Sequence, residues 1–427
     1  MAHGLVCDPG RSASCSVGAV TVPTAVPLTN SEIAHVRSST PGCTDVLVHL
    51  NHSGSSLPDQ RVLDAQIGHL QLEATIGGYE AASVMVDADA DVASSIARMI
   101  GAESSEIARF GSAAEAWNAA FWSIPMERGQ RIVIHDHEYG ANAIAFIHAA
   151  KMRGVVIDRV PSDEDGQVSI DALAQRLKQA DDVALISLTH VPTNGGLVNP
   201  AVEVGRLANA AGVPYLLDAC QSVGQRLVNV NEIGCDFLSA TGRKFLRGPR
   251  GIGFLYARTS ILDRVTPSQP DHYGADWSST DDYTFAAGAQ RFEYWEYSHA
   301  GWLGLGAAVD VALEIGIDRI QATITERAAQ LRVMLANIGM TIYDEGIEQS
   351  GIVTTATPFF SSASLQAALG RADVNASVTA VSSSRYDVER RNLPPLLRLS
   401  VHCTTTITEL ERTVEVLEQA TEMSTSL

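Results

Sequence analysis

Lys244 stands in Ser239-Ala240-Thr241-Gly242-Arg243-Lys244, just before Gly248-Pro249-Arg250-Gly251-Ile252-Gly253, and is one of only three lysines in 427 residues. Upstream, Asp218 ends the apolar run Val213-Pro214-Tyr215-Leu216-Leu217. An amine and a carboxylate placed in this way are the two protein groups that pyridoxal phosphate needs most. The amine forms a Schiff base with the aldehyde, and the carboxylate keeps the pyridinium nitrogen protonated so that the ring can withdraw electrons. Of the other lysines, Lys178 falls on the polar face of the helix-like segment 170–177. Lys151 precedes Arg153-Gly154 at a helix end, where a cation suits the dipole. Lys244 is therefore the lysine placed for covalent chemistry.

These residues must be held by a scaffold, and the hydrophobic pattern indicates one. Helices are expected over 63–77, 92–100, 113–123 and 141–152, and strands over 131–135, 155–160, 183–188 and 215–218. Residues 236–240 and 253–256 continue the sheet. Short apolar strands alternating with helices predict an α/β fold with a mostly parallel sheet flanked by helices. Residues 1–60, rich in Ser, Thr, Pro and Gly and without helical periodicity, read as an N-terminal arm contributing to the small domain and active site. A large domain is expected over 61–305. A smaller C-terminal α+β domain over 306–427 begins within a long amphipathic stretch, 303–335, and ends in a helix over 409–423.

In open parallel sheets ligands gather at the carboxyl ends of the strands. Asp218, His190 and Tyr139 all fall at or just beyond such ends. Gly111-Ser112-Ala113-Ala114 opens a helix, whose free N–H groups suit a phosphate. His135-Asp136-His137-Glu138 has the alternation of a metal cluster but lacks a third well-spaced ligand, so no metal is expected. The Gly248 to Gly253 run has the wrong spacing and position for a dinucleotide fingerprint, which disfavours a nicotinamide dehydrogenase.

The formal charge is −19, with no basic cluster beyond Arg243, Lys244, Arg247 and Arg250. Nucleic acid and anionic membranes are therefore not expected partners. The first residues have neither the basic start nor the apolar core of a signal peptide. The six cysteines (Cys7, Cys15, Cys43, Cys220, Cys235, Cys403) show no metal spacing. They are expected to be reduced thiols in a cytoplasmic protein.

The run Asp218-Ala219-Cys220-Gln221-Ser222, followed by Asp236-Phe237-Leu238-Ser239-Ala240-Thr241-Gly242-Arg243-Lys244, resembles the class V aminotransferase family of fold-type I pyridoxal-phosphate enzymes. The likeness covers roughly residues 45–420. This family includes cysteine desulfurases, isopenicillin N epimerase-like proteins and the C–S lyases of ergothioneine formation. The resemblance implies that Asp218 pairs with the pyridinium nitrogen and that Gln221 and Thr193 sit near the phenolic oxygen. It places the phosphate on Ser112, Ala113, Ala114, Thr241 and Arg243, and the Schiff base on Lys244. Tyr139 takes the place of the ring-stacking aromatic, usually a histidine in desulfurases. Arg398, in Leu396-Leu397-Arg398-Leu399-Ser400-Val401-His402, matches the arginine that grips the substrate α-carboxylate. Asn51 and His52 are expected on the substrate side, while Tyr79, Tyr297 and His299 are polar residues that could face the pocket or line a dimer interface.

The sequence also departs from the family pattern. Ala114 replaces the threonine of the phosphate cup. Arg291-Phe292-Glu293-Tyr294-Trp295-Glu296 lacks the usual Gly-Thr through which one subunit reaches the other's phosphate. A desulfurase also needs a mobile cysteine in its C-terminal half. None stands between Cys235 and Cys403, and Cys403 follows Arg398 too closely to sweep over the cofactor. The segment 76–80, and 291–293 followed by 303–306, resemble the C–S lyase and epimerase-like branch. That branch includes lincosamide-pathway relatives acting on S-glycosyl cysteines in antibiotic biosynthesis. The expected reaction is β-elimination from an S-substituted L-cysteine, giving thiol, pyruvate and ammonia. Decarboxylation-coupled oxidative deamination, transamination and epimerisation are the alternatives, and a homodimer with active sites near its interface is implied.

Overall fold

Apolar runs too short for helices build the central layer of this chain. The computed structural model describes residues 25–422, so Cys7, Cys15 and the start of the expected arm lie outside the described residues. Seven strands form the main sheet: β1 (Ile107–Phe110), β2 (Arg131–His135), β3 (Val156–Val160), β4 (Val183–Thr189), β5 (Tyr215–Asp218), β6 (Phe237–Thr241) and β7 (Gly253–Ala257). They lie in the order β1-β7-β6-β5-β4-β2-β3. Only β7 runs against its neighbours. Every residue of β4, β5, β6 and β7 is buried, because helices cover both faces. That is why these strands read as continuous apolar runs rather than alternating ones.

A second sheet forms the C-terminal lobe from β8 (Thr341–Ile342), β9 (Ile352–Ala356), β10 (Ser377–Val378) and β11 (Leu397–Ser400). It is antiparallel throughout, in the order β8-β9-β11-β10. The N-terminal arm is stitched into this lobe. Val48 and His49 pair in parallel with Val374 and Asn375, and the Ser400 amide donates to the Leu50 carbonyl at 2.8 Å. Leu28, Ile33 and Leu50 share its apolar core.

The strand over 131–135, the strand over 215–218 and the helix over 113–123 have the bounds that periodicity predicts. Elsewhere the structure corrects the expectation. The arm contains a helix, Asn30–Ser38, started by a capping box in which Thr29 and Glu32 satisfy each other's backbone N–H. Only Ile33 and Val36 of that helix are buried, too few for a period to register. The long amphipathic stretch is two helices, His299–Ile315 and Ile317–Asn337, bent by 79° at Gly316, whose φ of 92° suits glycine alone. The boundary expected at 305/306 thus falls inside a continuous helix. Val309 packs into the main core and Ala312 already belongs to the C-terminal core. Among the described residues no single helix is long and apolar enough to cross a membrane.

Candidate active site

Because β4, β5 and β6 run parallel and β1 ends beside β7, their carboxyl ends converge on one spot. A cavity of about 130 Å³ opens there. Its lining includes Ser112, Ala113, Ala114, Tyr139, Thr193, Asp218, Gln221, Thr241, Arg243 and Lys244.

Lys244 is presented by a tight turn after β6. The Arg247 amide donates to the Lys244 carbonyl at 2.9 Å and the Gly248 amide to the Gly242 carbonyl at 2.8 Å. Closing this turn puts Arg247 in the left-handed region, with φ of 61°, a costly conformation for a residue with a Cβ. Arg247 is held there by Nε–H donation to the Leu57 carbonyl at 3.0 Å and by a hydrogen bond to Thr40. Lys244 is buried. Burial lowers its pKa, and the nearby Arg243 and Arg398 cations push in the same direction, against Cys220 and Asp218. A larger share of neutral amine follows, which is what a proton acceptor or nucleophile requires.

Asp218 is fixed by two donors. Asn142 Nδ2 donates to Oδ2 at 2.9 Å and the Cys220 amide to Oδ1 at 3.0 Å. Gln221 Nε2 donates to Thr193 Oγ1 at 3.2 Å and to the Ser53 carbonyl at 3.1 Å. Its Oε1 is buried with no partner, a polar atom left open for a ligand.

Ser112 caps the helix Ala113–Ser123, its Oγ accepting from the Glu115 amide at 3.2 Å. The amides of Ala113 and Ala114 belong to the free first turn of this helix. That helix start is pressed onto the sheet at Gly253, where a Cβ would lie 2.6 Å from the Ala240 carbonyl oxygen and 2.8 Å from the Ala113 nitrogen. Glycine at this position lets the helix dipole reach the strand ends and form an anion cup. Arg243 lines the same cup and donates through Nη1 to the Gly54 carbonyl. In a chain of net charge −19, Arg243 and Arg398 concentrate positive charge where a phosphate and a carboxylate would bind.

Arg398, on β11, stands behind Thr193 rather than in the cavity lining. Its Nη1 donates to the Thr193 carbonyl at 2.8 Å and to its Oγ1 at 3.0 Å, and Nε donates to Ser377 Oγ at 2.9 Å. Nη2 alone is left without a protein partner, so a two-nitrogen grip on a carboxylate requires Thr193 to let go. Burial, then the charge of Arg243, lowers the pKa of Arg398 to about 10. Tyr139 forms a wall of the cavity at the start of the helix Gly140–Arg153 and is 39 % exposed.

Other expected residues lie elsewhere. His52 is fully buried. Its Nδ1 pairs with Ser56 Oγ at 2.9 Å and its ring packs on His49 and His402, so it does not face the cavity. Asn51 bridges to Ser400 and likewise lies outside the lining. His190 is buried and lies outside the lining, which Thr189, Val191 and Thr193 supply instead. Tyr79, Tyr297 and His299 line a separate open groove of about 740 Å³ with Arg109, Tyr273 and Trp295. Glu293, in the altered Arg-Phe-Glu segment, pairs with Arg109 at 3.4 Å.

The His135 to Glu138 run is split among partners. His135 pairs with Ser162, Asp136 with Arg159, His137 with Asp387, and Glu138 with Thr189 and Asn142. His137 does approach Asp387 and Glu345, but Arg390 and Arg391 already pair with both carboxylates. Asn142, Cys220 and Thr189 line the cavity without having been singled out from the sequence. Asn142 follows Tyr139 by one helical turn, and Cys220 lies between Asp218 and Gln221. Those spacings were the available signal.

A buried lysine, a doubly hydrogen-bonded aspartate and a helix-start anion cup at the carboxyl ends of a mostly parallel sheet define the fold-type I class. The chain belongs to the aminotransferase class-V family, whose model matches residues 48–413. It is 30% identical over 260 residues to a probable cysteine desulfurase of Methanothermobacter thermautotrophicus. That match spans 61% of this chain and 64% of the relative, less than two-thirds of its length. The fold is similar to a cysteine desulfurase from Thermococcus onnurineus NA1, with TM-score 0.85 and 22% identity, covering 94% of this chain and 100% of that one. It is also similar to the cystine C–S lyase C-DES in complex with its product cysteine persulfide. There the TM-score is 0.78 and the identity 19%, covering 89% of this chain and 99% of that one.

Proposed function

We propose that this chain is a pyridoxal-phosphate-dependent C–S β-lyase acting on an S-substituted L-cysteine, and that it releases a thiol, pyruvate and ammonia. The observation that carries this reading is Lys244, a buried amine of lowered pKa sharing one cavity with Asp218 and the helix-start anion cup. The residues present fit the cofactor. Ser112, the Ala113 and Ala114 amides, Thr241 and Arg243 would hold its phosphate, Asp218 its ring nitrogen and Lys244 its aldehyde carbon, with Tyr139 along its ring. When bound, the cofactor supplies an electron sink for the bonds at the substrate Cα.

The chain's own residues supply the rest. Asp218, held by two donors, keeps the proton on the ring nitrogen. Lys244 Nζ takes the Cα proton as the Cβ–S bond breaks. The departing thiolate is then protonated, and water displaces the nitrogen to give pyruvate and ammonia. Arg398 Nη2 orients the substrate carboxylate, which selects the bond at Cα that breaks.

The cysteines set this reading apart from persulfide-forming desulfuration. Cys220 lines the cavity, but burial and then Asp218 raise its pKa well above the ordinary thiol value. Cys403 is buried against His402, its pKa raised to about 11 by burial. Thiols held protonated are poor sulfur acceptors, so the sulfur leaves with its own substituent. The open aromatic groove, with Tyr79 73 % and Trp295 48 % exposed, is apolar surface of the kind a second subunit covers, and we extend the reading to a homodimer. The free thiols of Cys43, Cys220, Cys235 and Cys403 suit a reducing cytoplasm.

Mass analysis after incubation with a panel of S-conjugated cysteines, S-glycosyl cysteine among them, tests the reaction. Pyruvate with free thiol is expected. An aldehyde, an inverted amino acid or sulfur retained on the protein would overturn it.

A further inference from the structure

We propose that Glu138 is a neutral carboxylic acid that positions Asn142 against Asp218, so that the one proton shared by these two carboxyl groups resides on Glu138. Glu138 lies in the turn between β2 and the helix Gly140–Arg153 and is 1 % exposed. Asn142, one turn on, divides the two hydrogens of its amide between the carboxyls, donating to Asp218 Oδ2 at 2.9 Å and to Glu138 Oε2 at 3.4 Å. Thr189, which sits opposite Asp218 in the pairing of β4 with β5, adds a second bond to Glu138 Oε2 at 3.1 Å.

The surroundings of Glu138 indicate where the proton is. Glu138 Oε1 is buried with no partner, and so is Ser187 Oγ, two residues before Thr189 on the same face of β4. Asn142, Thr189 and Ser187 can each donate to Glu138, which favours its anion, but burial and the Asp218 charge outweigh all three. A hydrogen bond between Glu138 Oε1 and Ser187 Oγ would satisfy both orphans whichever of them supplies the hydrogen, so the surrounding charge decides where the proton sits. An ionised Glu138 would instead place a second buried negative charge beside Asp218. Burial, and then the Asp218 charge, raise the pKa of Glu138 to about 8. The titratable groups facing it are Asp218 and Tyr215 on β5 and Tyr386 on the helix Arg385–Arg391. None of them brings a positive charge. Asp218, by contrast, lines the open cavity, whereas Glu138 lies sealed behind it.

The role given to Asp218 rests on the cofactor reading above, whereas the protonation of Glu138 rests on this geometry. Infrared difference spectra of the purified protein, recorded with and without added pyridoxal phosphate, wild type against Glu138→Gln, Asp218→Asn and Ser187→Ala, separate the two. At neutral pH the wild type should show an unionised carboxyl C=O band that Glu138→Gln loses and Asp218→Asn keeps. Ser187→Ala should shift that band, a readout that survives if Glu138→Gln fails to fold. The absence of any such band, its loss in Asp218→Asn alone, or an unmoved band in Ser187→Ala overturns the assignment. As a positioning test, the absorbance of bound cofactor should change in the wild type as pH passes about 8, and Glu138→Gln should abolish that step. A step that persists in Glu138→Gln overturns the positioning role. A protein that never takes up cofactor would instead refute the reading of the pocket, while leaving the infrared result on Glu138 intact.

Discussion

Asp218 closes the buried strand Tyr215–Asp218, and strand ends are where ligands meet in a parallel sheet. Its measurable consequence is large. Asp218→Asn keeps the shape and one acceptor but removes the charge that, in the proposed site, would hold the ring nitrogen protonated. Turnover should fall by much more than tenfold, since a charge-assisted hydrogen bond in a dry site contributes roughly 2–4 kcal/mol and tenfold is only about 1.4 kcal/mol. Steady-state kinetics showing a loss within tenfold would give Asp218 another role. Arg398 has a subtler signature. Its Nε and Nη1 are tied to Ser377 and Thr193, so Arg398→Lys removes both the substrate contact and a brace on Thr193. KM should rise together with a loss of reaction specificity, checked by product analysis, and unchanged products would leave Arg398 only a brace. His52 was not legible as a buried residue, because polarity gives no direction. His52 satisfies its ring inside a histidine cluster, and only three-dimensional packing reveals that. Asn142 escaped notice, and Glu138 was weighed only within a possible metal cluster, for the opposite reason. Their value lies in a bond shared with Asp218, far away in sequence.

The strands and helices that carry the site were read well where the period was strong, as in the helix Ala113–Ser123 and the strand Tyr215–Asp218. Readings failed where the determinant was not periodicity. The helix Asn30–Ser38 depends on its capping box, and the break between the last two long helices depends on a single glycine. Strand Ile107–Phe110 was unassigned because it carries Arg109, whose burial beneath Tyr297 at 3.7 Å cannot be inferred from an apolar pattern. The element whose placement matters most is the start of the helix Ala113–Ser123 against β7. Gly253→Ala would thrust a Cβ into the Ala240 carbonyl and the Ala113 amide. Overpacking of this kind costs about 1–3 kcal/mol, and the helix start must also back away from the phosphate. Thermal unfolding should show lowered stability, and cofactor titration a weaker affinity. Normal cofactor affinity would mean that the cup is built elsewhere.

Across the whole molecule, the large domain and the C-terminal lobe are joined by charge as well as by packing. Asp387 receives His137 Nε2 at 3.2 Å and Arg390 Nη2 at 2.7 Å. Burial alone would raise its pKa, but the bonds to His137 and the arginines outweigh that and lower it to about 2. A carboxyl whose folded pKa lies below its unfolded value stabilises the fold above roughly pH 4. That contribution, on the order of 2 kcal/mol, is lost as pH falls toward about 2. Asp387→Asn should therefore be less stable than wild type at neutral pH, and the gap should close in acid. Denaturant unfolding at neutral and acid pH checks this, and a gap independent of pH would remove Asp387 from the latch.

All of these effects converge on one amine. Borohydride reduction of the holoenzyme, followed by peptide mapping, tests the account most directly, because it fixes the cofactor to whichever lysine holds it. The account predicts a yellow protein that bleaches on reduction, with the label on Lys244 alone among the three lysines. Label on Lys151 or Lys178, or a colourless protein that takes up no cofactor, would contradict it.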